Sequence, residues 1–233
     1  MRTGAPAATG LFIRRSRVKR LLGRLATLAG LLAFVTWSLF PIYWMLMTSF
    51  KPDREIYGIP PTFIPQVWTF NHYENVLFKG HFPSFVRNSF IVATVVTLLS
   101  MVTCTLAAYA LTRLRFPGRT LIARSIVVTY LLPPSLLFIP LFIVVQRLGL
   151  VDTLLALMLT YLTFTVPFCT WMLIGYFRTI PRELDEAALI DGCSRAGALF
   201  RVVLPLSLPG LSVVALFAFT QSWNEFLYSL IFV

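Results

Sequence analysis

The side chains that could do chemistry in this chain are gathered in one polar interval, residues 178–210. Acids and bases are mixed there, and their formal charges sum to zero. Such a mixture suits ion pairing with a protein surface, whereas attraction to anionic lipid requires an excess of bases. The charged residues are Arg178, Arg182, Glu183, Asp185, Glu186, Asp191, Arg195 and Arg201.

Motifs that would let the chain catalyse a reaction are absent from the sequence. It contains no G-x-x-x-x-G-K-[ST], no H-E-x-x-H and no G-x-S-x-G. His72 and His81 have no partner at metal-ligand spacing, and Cys104, Cys169 and Cys193 are too scattered for a disulfide framework or a metal site. We therefore predict no catalytic residue, no metal and no cofactor in this chain.

The polar interval predicts two short helices joined by a sharp turn. Residues 182–191 are mostly good helix formers, and Gly192 suits a left-handed C-terminal cap. Ser194 can cap a second helix over residues 195–203, which Pro205 would close. We predict that this pair docks in a groove of a partner protein, with charges setting the register. The predicted apolar contacts are Leu184, Ala187, Ala188 and Leu199.

The composition places the rest of the chain in lipid. Hydrophobic residues make up 58% of the 233 residues and charged residues 12%, about half the charged share of a soluble domain. A soluble protein of this size could not bury so much apolar surface. The net charge of +11 does not indicate nucleic-acid binding, because the bases cluster at the ends of apolar stretches.

Five apolar intervals are each long enough to cross a bilayer, which needs roughly 20 helical residues. They predict an all-α membrane protein, a polytopic transmembrane helical bundle. Residues 1–24 and 113–124 carry bases without acids and should face the cytoplasm. By alternation, residues 178–209 lie inside and the proline- and aromatic-rich loop 49–87 lies outside, where Asn71 and Glu74 could form a capping box. The predicted spans are residues 25–48, 88–112, 121–145, 154–177 and 210–233.

Prolines interrupt two spans. Pro133, Pro134 and Pro140 should kink or unwind the third, and Pro167 should bend the fourth. Such breaks can line a substrate path or can be packing kinks, and the sequence leaves both interpretations open.

Polar side chains near these breaks are the candidates for a substrate path. Glu225 is the only acid within a predicted span, roughly 22 Å from the start of that span at 1.5 Å per residue. Its carboxylate could contact a polar cavity or could mark the outer membrane interface. The possible substrate-path residues are Tyr161, Thr165, Trp223, Asn224 and Glu225.

An ordered set of motifs resembles one known class. E-A-A-L-I-D-G at residues 186–192 and V-V-L-P-L-S-L-P-G at 202–210 are similar to the EAA loop of bacterial ABC-importer permeases. T-S-F-K-P, A-Y-A-L-T-R-L-R-F-P-G-R and S-W-N-E-F occur in the same order as in the maltose-type sugar permeases. The resemblance covers nearly the whole chain from the first span onward.

This resemblance implies the type I importer permease fold in the bacterial inner membrane. It implies a heterodimer with a second permease, two cytoplasmic ATPase subunits that bind the ATP, an extracytoplasmic solute-binding protein, and a sugar, polyol or sugar phosphate as solute. No nucleic-acid partner is expected. The residues that the resemblance assigns to ATPase coupling are Glu186, Ala187, Ala188, Asp191 and Gly192.

Permeases of this class usually carry a sixth span after S-W-N-E-F, so either the sequence ending at Val233 is incomplete or the sixth helix is dispensable here, and we favour the first interpretation. Two other functions are possible. An ion-coupled carrier or channel needs membrane-embedded charges, of which only Glu225 is available. A membrane-bound enzyme needs a catalytic cluster, which the sequence lacks.

Overall fold

In the computed structural model, the backbone is described from residue 8 to residue 233 and side chains from residue 22 onward. The predicted basic segment 1–24 therefore lies mostly outside the described side chains. Helix α1 (Ala8–Ser49) contains a 28-residue span, Leu22–Ser49. This span is about 42 Å long at 1.5 Å per residue, enough to cross a hydrocarbon core of about 30 Å. None of its most apolar window is buried within the chain, as expected of a helix that packs against lipid.

The loop after α1 contains short helices. These are α2 (Asp53–Ile56) and α3 (Asn71–Glu74), and α3 continues into a π-helical turn, Asn75–Lys79. The Glu55 carboxylate accepts hydrogen bonds from the Thr62 hydroxyl and the Gln66 amide. The hydroxyl bond is the largest cause of the lowered pKa of Glu55. The predicted capping box is wrong, because α3 begins at Asn71 itself and has no side-chain cap.

Residues 83–233 form a second compact unit. Its first helices are α4 (Phe82–Arg113), α5 (Arg119–Leu131), α6 (Pro134–Arg147) and α7 (Leu154–Phe177). The predicted third span is not one helix, since α5 and α6 meet at an angle of 100°. Leu132 and Pro133 are extended at the break, because a residue before proline avoids the helical conformation. By contrast, Pro140 lies inside α6 and Pro167 inside α7, and neither helix is interrupted.

The polar interval folds into α8 (Glu183–Ile190) and α9 (Arg195–Ala198), followed by a π-helical turn, Leu199–Val203, and the short α10 (Leu204–Leu206). Two hydrogen bonds close α8: Gly192 N donates to Leu189 O at 3.1 Å and Cys193 N donates to Ala188 O at 2.9 Å. Gly192 has φ +84°, the left-handed value that this cap requires. Ser194 caps α9 through Gly197 N, as predicted.

The end of the second short helix differs from the prediction. Pro205 does not terminate it, because Pro205 sits in the first turn of α10, where its missing N–H leaves no gap. The chain bends instead at Ser207, by 81°, into α11 (Leu208–Trp223). The predicted fifth span is also broken: α11 ends before Asn224, and α12 (Leu227–Phe232) follows as a separate helix.

Two apolar clusters hold this unit together. One joins α4 and α7 to the residues of α9–α11, with Phe177, Val203 and Ala218 fully buried. The other joins α4, α6, α7 and α12, with Tyr228 and Phe232 fully buried. Within the described residues, three helices are long and apolar enough to span a membrane, or five if each bent pair is counted as one span.

Candidate functional site

A buried ion pair fastens α8 to the end of α4. Arg113 Nε lies 2.8 Å from Asp185 Oδ2, with side chains only 5% and 10% exposed. The same guanidinium donates through Nη2 to the carbonyl oxygens of Phe177, at 3.0 Å, and Ile180, at 2.8 Å. One arginine therefore connects the last turn of α4, the end of α7 and the polar interval.

The electrostatics of this pair depend on both partners being present. Burial raises the pKa of the Asp185 carboxyl, and the neighbouring guanidinium groups of Arg113 and Arg182 oppose that rise. The Nε–Oδ2 contact is close but poorly aligned, because neither atom forms a hydrogen bond of good geometry. The pair is thus mainly a Coulomb contact, and removing one partner would leave a buried charge at a cost of about 3–5 kcal/mol.

Two further hydrogen bonds fix the same region. Arg182 Nη2 donates to Thr112 O at 2.8 Å, and the Tyr109 hydroxyl donates to Arg195 O at 3.1 Å. The first bond ties the start of α8 to the C-terminal end of α4, and the second ties α9 to the same helix. In the first bond the acceptor is a carbonyl in the last turn of α4, which has no partner within its own helix, and in the second bond the acceptor is a carbonyl of α9.

The opposite face of α8 is free. Leu184 is 41% exposed and Ile190 is 85% exposed, and Glu186, Ala187 and Asp191 are also exposed. The exposed side chains of Leu184, Ala187 and Ile190 form an apolar stripe on this face of α8.

Two of the predicted docking contacts do not lie on that face. Ala188 is buried against the chain itself, and Leu199 is packed in the apolar cluster with Phe177 and Val203. Sequence reasoning missed Ile190 and the partnership of Arg113 with Asp185. The three-to-four residue spacing of Ala187, Ile190 and Glu186 could have indicated the exposed stripe, but the long-range ion pair left no local pattern.

A second site is a cavity of about 310 Å³ between α4, α7, α11 and α12. The Glu225 carboxylate lies in the cavity wall, where it accepts a hydrogen bond from the Tyr161 hydroxyl at 2.9 Å. The carboxylate also accepts the backbone N–H groups of Tyr228, at 3.0 Å, and Ser229, at 3.3 Å, which start α12. Other polar lining residues are Asn88, Ser89, Ser222 and Ser229, together with the indole of Trp223.

The remaining predicted path residues lie outside this cavity. Thr165 is fully buried, with its hydroxyl bonded to Ser100 at 2.8 Å and to Tyr161 O at 2.9 Å. Asn224 is exposed and its amide donates to Thr220 O. The sequence left two interpretations of Glu225, contact with a polar cavity or a place at the outer membrane interface. In the structure its carboxylate lies in a cavity wall. Among the described residues, no group of three His, Cys, Asp or Glu side chains could hold a metal ion.

The comparison with known proteins agrees with this architecture. Residues 101–233 match the family described as "Binding-protein-dependent transport system inner membrane component". The chain belongs to this family. The permease is 41% identical over 216 residues to the inner membrane ABC transporter permease protein YcjP of Escherichia coli (strain K12), covering 92% of this chain and 77% of the other. It is 38% identical over 216 residues to the trehalose/maltose transport system permease protein MalG of Thermococcus litoralis, with the same coverage of 92% and 77%.

A solved structure shows the same fold. It is the crystal structure of a bacterial ABC transporter involved in the import of the acidic polysaccharide alginate, with a TM-score of 0.80 and 23% identity. The match covers 99% of this chain and 78% of the other. The permease is therefore a non-enzymatic inner-membrane subunit, and it works with separate ATPase and solute-binding subunits.

Proposed function

We propose that the permease imports a sugar or a closely related polyhydroxylated solute, as one half of a heterodimer with a second permease. Relatives named for trehalose and maltose, for sulfoquinovosyl glycerol, and for diacetylchitobiose support this solute class. ATP is bound by two cytoplasmic ATPase subunits, and this chain needs no cofactor of its own.

The geometry of α8 supports the proposal that this helix couples the permease to the ATPase subunits. One face is fastened to α4 and α7 through Asp185 and Arg113, and the other presents Leu184, Ala187 and Ile190. A groove in the ATPase subunit takes that free face, with Glu186 and Asp191 setting the register. Gly192 forms the turn that joins α8 to α9. Movement of the ATPase subunits then displaces the inner ends of the spanning helices, because the attachment is rigid.

The cavity around Glu225 carries the solute part. Its carboxylate, the Tyr161 hydroxyl and the Trp223 indole offer hydrogen bonding and an aromatic face, a combination that suits a polyol.

The proposed membrane topology is the one that the sequence predicts. Residues 1–24 and 178–209 are cytoplasmic, residues 49–87 meet the solute-binding protein, and the spans lie between them.

The test is copurification of the ATPase subunits with the permease. Ile190→Asp places a charge in the middle of the apolar docking face, and we expect it to reduce the retained ATPase at least tenfold. The control is Val67→Asp, which introduces the same acid at a side chain 62% exposed in the loop after α1, and it should retain wild-type levels. Undiminished ATPase on the Ile190→Asp permease would remove α8 from the contact.

A further inference from the structure

A cluster of arginines surrounds a small cavity where α4 passes into α5. The cavity has a volume of about 370 Å³, and Arg115, Arg119 and Arg182 line it. No acidic side chain of the described chain lines it, so three positive charges converge on one space. The coupling function described above uses neither Arg115 nor Arg119.

Two of these arginines are held in place by the backbone. Arg119 Nη1 donates to Leu114 O at 3.0 Å, and Arg182 Nη2 donates to Thr112 O at 2.8 Å. A guanidinium has five N–H donors, so each side chain keeps several donors for a ligand after making one bond. Positioned guanidinium groups bind phosphate oxygens in a bidentate manner and more strongly than neutral donors do.

The surroundings of the cluster indicate what carries the phosphate. Leu121, which lines the cavity, is 70% exposed, and the next residue, Ile122, is 47% exposed. The apolar face of α5 thus starts at the cavity. A ligand with a phosphate head and apolar chains would bind both surfaces at once, which a free anion or an acidic protein side chain would not do.

We propose that Arg115, Arg119 and Arg182 bind the phosphate of an anionic phospholipid in the inner leaflet. The assignment to the inner leaflet rests on the proposed function, because the cluster lies at the same end of the helices as α8. A bound lipid would anchor the α4–α5 connection beside the coupling helix. The attraction of basic residues to anionic headgroups adds to the specific phosphate contacts.

The experiment measures lipid retained by the purified transporter complex. The complex is placed in phosphatidylcholine nanodiscs containing a fixed minor fraction of phosphatidylglycerol, and lipids that remain bound are counted by native mass spectrometry. Arg115→Gln together with Arg119→Gln should lower retained phosphatidylglycerol about tenfold. The matched control is Arg124→Gln, which removes an exposed base of α5 that does not line this cavity, and retention should be unchanged.

Two further measurements distinguish a bound lipid from free phosphate and from an acidic surface of the ATPase subunits. If millimolar inorganic phosphate displaces phosphatidylglycerol completely, the site binds free phosphate and the lipid assignment is wrong. If the double variant keeps its lipid but loses the ATPase subunits, the arginines bind the ATPase and the proposal fails. Equal retention by wild type and double variant also overturns it. Lipid retention by the Ile190→Asp permease is expected to be normal, so failure of the docking proposal would not affect this result.

Discussion

At the scale of single residues, Glu225 serves both local structure and the cavity. Its carboxylate accepts the first free N–H groups of α12 and the Tyr161 hydroxyl of α7, so it ties the break after α11 to a neighbouring helix. A carboxylate held in this way cannot rotate freely. It presents a fixed acceptor to the cavity, with Trp223 beside it.

Glu225→Gln tests the role of that charge in solute binding. Glutamine has the same shape but offers one neutral acceptor oxygen, and a hydrogen bond to a charged group contributes about 1.5–3 kcal/mol. We expect the solute concentration for half-maximal uptake to rise about tenfold or more, with ATPase copurification unchanged. Asn224→Ala, at the exposed neighbour outside the cavity, should leave uptake kinetics as in wild type. Identical kinetics for both variants would mean that the solute does not contact Glu225.

The sequence predicted some of these residues and not others. Glu225 was identifiable because an acid within an apolar interval is unusual, and Tyr161 because it lies near Pro167. Thr165 was grouped with them, yet its hydroxyl bonds to Ser100 and to its own helix. The position of a residue in the sequence gives its depth in a span. It does not show which face of the helix the side chain lies on, because nearly all faces of such a helix are apolar.

At the scale of elements, the coupling that we propose depends on the attachment of α8 to α4. Helix α8 has only eight residues and would be marginal on its own, since isolated helices this short are unstable in water. Its Schellman cap at Gly192 and its ion pair through Asp185 supply the missing stability. In the proposed mechanism, α8 transmits force while these contacts hold it on the bundle.

Asp185→Asn tests that attachment. The substitution leaves the Arg113 guanidinium buried without its counter-charge, a loss of about 3–5 kcal/mol. At about 2–4 °C per kcal/mol for a chain of this size, we expect the unfolding midpoint of the purified permease to fall by about 10 °C. The control, Asp191→Asn, changes an exposed carboxylate of the same interval and should shift the midpoint by less than about 2 °C. Equal midpoints for the two variants would show that the ion pair does not hold α8.

Local chemistry made several elements predictable. Gly192 and Ser194 defined the turn between α8 and α9 because their caps depend only on neighbouring backbone groups. The 100° break at Leu132 followed from two consecutive prolines. The break after α11 was missed, since its cause is the Glu225 carboxylate accepting backbone N–H groups of a new helix, and no helix-breaking residue marks it.

At the scale of the whole molecule, the permease consists of apolar helices, and the polar interval of residues 178–210 joins α7 to α11. The acidic and basic residues are concentrated in four intervals, residues 1–24, 49–87, 113–124 and 178–201. In this family the ATPase is a separate subunit. In the mechanism that we propose, the ATPase subunits do work on the solute by moving residues 178–210.

The most direct test is ATP-driven uptake in proteoliposomes that contain this permease with its partner permease, its ATPase subunits and its solute-binding protein. We predict uptake against a concentration gradient that requires ATP and the solute-binding protein, and that falls to background when the ATPase subunits are omitted. Concentrative uptake at the wild-type rate by vesicles without any ATPase subunit would contradict this account.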